Sequence, residues 1–224
     1  MLQALFYKEW CKTKRVILLL FLVFIGVLGY TFINIDQMFR ISGAINTWSN
    51  IIMKDMSILP QIMTWVPVLA ALLLSFAQFI PEMTDKRLKL TLHLPMPENK
   101  IMTTMLLYGI CTLLTLYILS YIILVIGASI YFPSEIVAGM LWQSIPWFLA
   151  GILSYILATW VTLEPTWRQR ISNAFIAICF LSFFFITAKS GAYSTFIPYL
   201  ILVVIISISF PFYSTARFKD GGAQ

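Results

Sequence analysis

The side chains that could catalyse a reaction or hold a metal are few and scattered. The sequence has one histidine, His93, and three cysteines, Cys11, Cys111 and Cys179, with no CxxC pair. No serine or cysteine is placed with His93 as a nucleophile, and neither HExxH nor the phosphate-cradling GxxxxGK[ST] loop occurs. The pattern predicts no metal site and no disulfide framework. We expect that this chain is not an enzyme and does not itself bind ATP.

The acidic residues avoid the apolar runs of the sequence. All nine lie outside those runs or at their ends: Glu9, Asp36, Asp55, Glu82, Asp85, Glu98, Glu135, Glu164 and Asp220. No carboxylate pair and no Asp, Glu, Lys or Arg lies within the runs, so an intramembrane protease or a proton-coupled pump would lack its usual groups. A membrane-embedded enzyme would have to rely on Ser, Thr, Tyr, Gln and Asn, so we rank that class low.

The composition is that of a chain surrounded by lipid. Hydrophobic residues make up 60% and charged residues 11% of the chain, and the mean hydropathy is +0.90. So little polar surface cannot cover a water-soluble globule, which predicts an all-α integral membrane protein. No basic cluster is interleaved with aromatic residues as in nucleic-acid-binding domains, so we expect no nucleic-acid partner.

The apolar runs are long enough to cross a bilayer, which takes about 20 residues of helix. We predict one transmembrane domain, 1–224, with six transmembrane helices at about 16–35, 60–80, 102–130, 136–163, 171–188 and 195–213. Basic residues collect on the cytoplasmic side of membrane proteins. With both termini cytoplasmic, twelve of the 15 Lys and Arg fall inside, and only Arg40, Lys54 and Lys189 fall outside.

Two segments outside the spans have a helical pattern of apolar residues. In residues 1–15, Leu2, Leu5, Phe6 and Trp10 form one stripe, which predicts an amphipathic interface helix before the first span. The alternative is a basic tail that only sets topology. No cleavage site follows, so we do not expect a removable signal. The external loop, 36–59, is predicted to hold amphipathic helical pieces that cap the fold, line an exit for cargo or meet a partner.

The cytoplasmic loop, 81–101, concentrates charge between two apolar spans. Leu88, Leu90, Leu92 and Leu94 alternate with polar residues, which is the period of a strand. A lone strand would leave its backbone groups unpaired at a membrane surface, so a short helix ending before Pro95 is favoured. The alternative is a solvated loop that obeys the positive-inside rule.

At this loop the sequence resembles the ABC type-2 transporter permeases, the membrane subunits of many bacterial exporters. That family has a Glu at the end of its second span, a Leu-rich turn or two and then Leu-Pro before the third. The matching positions are Glu82, Leu88, Leu90, Leu92, Leu94 and Pro95. The sequence departs at Lys86 and Arg87, which stand where the family often has Gly-Thr.

The resemblance implies that the loop is a coupling helix on a separate cytoplasmic ABC ATPase, present in two copies. The implied docking residues are Glu82, Asp85, Lys86, Arg87, Leu88, Leu92 and Pro95. The interface helix, through Lys8, Trp10 and Lys12, would lie against the same ATPase. ATP and Mg would belong to that partner, with no cofactor in this chain.

The resemblance further implies a bacterial cytoplasmic membrane location and a second permease chain, identical or sister. The cargo would be an unidentified amphipathic, lipidic or peptide molecule. The main alternative is a six-span channel or scaffold without an ATPase. A haem-exporter subunit of similar length ranks low because nothing matches a haem site.

Overall fold

The computed structural model describes residues 2–54, 57–84, 97–187 and 192–219. This part of the chain is all-helical and contains no β-strand, as the composition predicts. Its helices are α1 Leu2–Ser42, α2 Ala44–Lys54, α3 Ile62–Thr84, α4 Glu98–Tyr131, α5 Ser134–Leu163, α6 Trp167–Ser182, α7 Ile197–Ser207 and α8 Ser209–Lys219. A 3₁₀ turn, Phe183–Phe185, continues α6.

Five helical segments are long and apolar enough to cross a membrane: α1, α3, α4, α5, and α7 continued into α8 as Ile197–Phe218. Five such segments indicate a multi-pass membrane protein. The predicted span 171–188 differs from the others, because its α-helix, α6, has 16 residues and begins with a polar turn that contains Arg168 and Arg170. Its helical geometry then changes to 3₁₀ at Phe183.

The first helix runs without a break through the predicted interface helix, 1–15, and the predicted first span, 16–35. No proline interrupts this helix, because the first proline of the chain is Pro60. At 1.5 Å per residue its 41 residues extend about 60 Å, twice the thickness of a hydrocarbon core. The helix ends at Gly43, whose φ of 74° suits a residue without a Cβ.

One face of α1 is buried along the whole helix. The buried residues recur every three or four positions, or at seven: Leu5, Glu9, Thr13, Leu20, Phe24, Leu28, Thr31 and Ile35. This stripe packs against α3 and α4. Of the predicted amphipathic stripe, Leu5 is buried, whereas Leu2 and Trp10 are 51% and 49% exposed and remain accessible to lipid.

The centre of the fold is α5, which packs against α3, α4, α6, α7 and α8. Gly151 lets the backbone of α5 approach both α3 and α4, since a Cβ there would lie 3.0 Å from the Pro67 carbonyl oxygen of α3 and would overlap the Tyr117 hydroxyl of α4. The Tyr117 hydroxyl donates to the Pro67 carbonyl at 3.0 Å, and Ser154 Oγ donates to the Val68 carbonyl at 3.3 Å. These buried hydrogen bonds fix α3, α4 and α5 as one unit.

Candidate functional site

A cluster of opposite charges joins the start of α1 to the end of α3. Lys8 and Lys12 are four residues apart on α1 and therefore project from the same side of the helix. Lys8 Nζ lies 2.9 Å from Glu82 Oε1, and Lys12 Nζ lies 2.8 Å from the same oxygen. We call Lys8, Glu9, Lys12 and Glu82 the carboxylate–lysine cluster.

Glu82 lies deep in the protein, since its side chain is only 1% exposed. A carboxylate removed from water is stable only when nearby positive charge and hydrogen bonds replace its hydration. Two lysine ammonium groups supply that replacement here. Their position near the last turn of α3, which ends at Thr84, is also favourable for the helix dipole.

Glu9 is equally buried but is less well compensated. Lys12 Nζ lies 2.8 Å from Glu9 Oε1. Neither Glu9 oxygen accepts a well-oriented hydrogen bond from the described residues, however. Lys12 is thus the shared cation of two buried carboxylates, and it also donates to the Gln78 carbonyl at 3.3 Å. Loss of Lys12 would leave more uncompensated charge than loss of Lys8, which keeps 38% of its side chain exposed.

A chain of neutral hydrogen bonds continues from the cluster into the helical bundle. Gln78 accepts from the Tyr155 hydroxyl at 2.7 Å and donates to the Met105 carbonyl at 2.9 Å. The Thr13 and Tyr108 hydroxyls lie 2.6 Å apart. Four helices, α1, α3, α4 and α5, therefore meet in one connected polar region.

A third buried carboxylate, Glu164, joins the end of α5 to α8. Glu164 is fully buried, with Arg217 Nη1 3.0 Å from its Oε1 and Ser214 Oγ donating to its Oε2 at 2.7 Å. Arg170, in the first turn of α6, donates to the Glu164 carbonyl at 2.8 Å. Together, these contacts hold the chain reversal between α5 and α6 against the last helix.

The structure brings three of the predicted site residues together: Lys8, Lys12 and Glu82. Trp10 lies on the exposed side of α1. The remaining predicted docking residues lie outside the described part of the chain: Asp85, Lys86, Arg87, Leu88, Leu92 and Pro95. Sequence reasoning missed the buried polar residues that complete the region: Glu9, Gln78, Tyr108 and Tyr155. It also missed the separate contact of Glu164 with Arg217. For Glu9 a signal was present, since it precedes Lys12 by three residues on a predicted helix.

The contacts of the carboxylate–lysine cluster are all within this chain, and they join α1 to α3. The two carboxylates of the cluster are neutralised by lysines of the same chain. Within the described ranges, no group of three His, Cys, Asp or Glu side chains could hold a metal ion. The arrangement can hold two helices together and pass a displacement from one to the other.

No family model matches this chain, and no curated protein and no solved structure is significantly similar to it. We therefore infer its function from the geometry described above and from the sequence of the charged loop.

Replacing Lys12 by Met should destabilise the fold by about 2–4 kcal/mol, because it leaves two buried carboxylates with less positive charge. The measurement is the free energy of unfolding in mixed detergent micelles. The control is Arg40→Met, which removes an exposed i,i+4 partner of Asp36 and should change stability by about 0.5 kcal/mol or less. Equal effects of the two substitutions would contradict the assigned role of Lys12.

Proposed function

We propose that this chain is the transmembrane permease subunit of an ATP-binding cassette exporter in the bacterial cytoplasmic membrane. Two permease chains would assemble with two copies of a separate ATPase, which binds ATP and Mg. The observation that carries the proposal is the buried contact of Lys8 and Lys12 with Glu82, in the last turn of α3, where the charged loop, 81–101, begins. The resemblance of that loop to the ABC type-2 permeases supports it.

The contact provides a route for mechanical coupling. Glu82 lies in the last turn of α3, so a force on the charged residues that follow Thr84 in the sequence reaches it first. Separating Glu82 from Lys12 would leave buried charges uncompensated, so α1 and α3 are expected to move together. From α3 the displacement reaches α5 through the hydrogen bond of Ser154 to the Val68 carbonyl and the buried contact of Ser75 with Thr159. On this account Glu82 transmits the motion, and the loop residues touch the ATPase.

The positive-inside distribution favours six crossings over five. With six crossings, the carboxylate–lysine cluster, Glu164 and the end of the last helix would all lie at the cytoplasmic face. With five crossings, Arg217 and Lys219 would lie on the opposite face from Lys8 and Lys12. The apolar part of α6 with the following 3₁₀ turn, 171–185, extends at least about 23 Å, somewhat less than the hydrocarbon thickness of about 30 Å, and a short span can be accommodated by local thinning of the bilayer. We therefore assign α6 as a short fifth crossing.

The number of crossings can be tested by labelling single cysteines in intact cells, after the three native cysteines are replaced. A membrane-impermeant maleimide should react with Arg40→Cys and Ser194→Cys from outside. It should react with Lys14→Cys and Arg168→Cys only after permeabilisation. All four positions are exposed. If Ser194→Cys and Arg168→Cys react from the same side, α6 does not cross and the six-span topology is wrong.

The ATPase partnership can be tested by co-expressing the chain with a P-loop ATPase encoded beside its gene. The tagged permease should recover that ATPase in detergent at a one-to-one ratio. Charge reversal at the loop, Asp85→Lys or Arg87→Glu, should lower the recovery by about tenfold, as expected for loss of an interfacial charged contact.

The matched control for charge reversal is Arg40→Glu, which changes the same charge near the other end of α1. It should leave ATPase recovery unchanged. If the wild-type chain recovers no ATPase, or if all three variants recover as much as the wild type, a channel or scaffold without an ATPase becomes the better account.

A further inference from the structure

A cavity of about 360 Å³ lies at the far end of α1 from the carboxylate–lysine cluster. Its walls are the last two turns of α1, one face of α2 and the segment 57–60. The lining residues are Asn34, Gln37, Met38, Ile41, Ser42, Thr47, Asn50, Ser57, Ile58, Leu59 and Pro60. We call it the distal pocket.

Local hydrogen bonds fix the shape of the distal pocket. The chain reverses at Gly43, whose positive φ lets α2 fold back beside the end of α1. The Thr47 hydroxyl donates to the Gly43 carbonyl at 2.8 Å and reaches the Met38 carbonyl at 3.4 Å. Ser57 Oγ donates to the Leu59 carbonyl at 3.1 Å and accepts from Gln143 of α5 at 3.0 Å. These bonds hold the reversal at Gly43 in place and attach the segment 57–60 to α5.

Three side-chain amides line the distal pocket with their hydrogen-bonding capacity unused. Asn34 and Asn50 are half-buried and Gln37 is exposed, and none of the three side chains bonds to another described residue. The pocket hydroxyls of Thr47 and Ser57 already donate to backbone carbonyls. Each free amide offers two donors and an acceptor, so together they can bind hydroxyl or amide groups.

The lining of the distal pocket contains no charged residue. The nearby Asp36 and Arg40 are paired with each other at 3.1 Å and do not line it. A phosphate or sulfate would find no cation here, and an ammonium would find no carboxylate. Met38, Ile58 and Leu59 supply apolar surface beside the amides. The lining therefore favours a ligand with an uncharged polar part and an apolar part.

The position of the distal pocket also suits an amphiphile. Asn34 follows Glu9 by 25 residues on one helix, which corresponds to about 37 Å. That separation exceeds the hydrocarbon thickness of about 30 Å. The pocket and the carboxylate–lysine cluster therefore lie at opposite faces of the membrane, and the pocket lies at the depth of the lipid headgroups.

We propose that the distal pocket binds an amphiphile with an uncharged head group that bears hydroxyl or amide groups. Asn34, Gln37 and Asn50 bond the head, and Met38 and Ile41 contact the start of the apolar chain. This assignment goes beyond the permease proposal and does not depend on it, because binding requires no ATPase.

The test uses the full chain in lipid nanodiscs with octanoyl-N-methylglucamide, which carries an amide and several hydroxyls, below its micelle concentration. Hydrogen–deuterium exchange should show saturable protection of peptides covering 34–60. The double variant Asn34→Leu with Asn50→Leu should raise the half-saturating concentration about tenfold, because it removes two sets of neutral hydrogen bonds. The matched control, Asn99→Leu at the exposed start of α4, should leave it unchanged.

Three further probes define the specificity. Octyl sulfate and octyltrimethylammonium have the same chain length but charged heads, and N-acetyl-N-methylglucamide has the neutral head without the long chain. None of them should protect 34–60 at the concentration that saturates with the octanoyl compound. Absent or non-saturable protection by that compound, equal protection by any of the three others, or unchanged binding by the double variant would overturn the proposal. Unchanged exchange in 62–84 confirms that the variant is folded.

Discussion

The structure depends on the compensation of a carboxylate that is buried between two helices. Glu82 is removed from water at the end of α3, and a buried ion is stable only if matching charge accompanies it. Lys8 and Lys12 provide that charge from a helix about 70 residues earlier in the chain. The position of α1 relative to α3 follows from this requirement, since either helix would expose an uncompensated charge to a low dielectric if it moved alone. Another buried carboxylate, Glu164, constrains α5, α6 and α8 in the same way.

Between the buried charges and the distal pocket the interior is apolar or neutral. Hydroxyl and amide groups there bond backbone carbonyls or each other, as Tyr117 bonds Pro67 and Tyr155 bonds Gln78. These bonds satisfy polar groups that lipid cannot satisfy. They also make α3, α4 and α5 a rigid unit, so a displacement at one end of α3 is passed along the bundle. The fold thus combines a charged cluster at one end of α1 with an uncharged pocket near the other end.

Composition and periodicity were sufficient to predict a helical membrane protein. A chain with so many apolar and so few charged residues cannot cover the surface of a water-soluble globule. The sequence also singled out Lys8, Lys12 and Glu82, for which it predicted contacts with a partner protein. Their mutual contact could not be predicted, because it joins positions 70 or more residues apart and no local pattern encodes that distance. The same holds for Tyr155 and Gln78. The continuity of α1 through residues 15 and 16 was missed because a change from basic to apolar residues does not by itself end a helix.

The distal pocket could not be predicted from the periodicity of the sequence either. The helical pattern of 36–59 indicated an amphipathic segment, and α2 lies within it. Only the reversal at Gly43 brings Asn50 of α2 opposite Asn34 of α1, and a glycine in a sequence does not reveal the direction of the turn that it permits. In the sequence, nothing distinguishes these three amides from other polar residues, and only the fold places them around one cavity.

The measurement that tests the central claim most directly is a double-mutant cycle between Lys12 and Glu82, with Lys12→Met, Glu82→Leu and the double variant unfolded under identical conditions. If the buried contact holds α1 to α3, the two substitutions are strongly non-additive. The double variant should then recover about 1.5 kcal/mol or more relative to the sum of the single changes. Additivity within about 0.5 kcal/mol would show that the two side chains do not stabilise each other, and the account of α1 and α3 as one moving unit would be wrong.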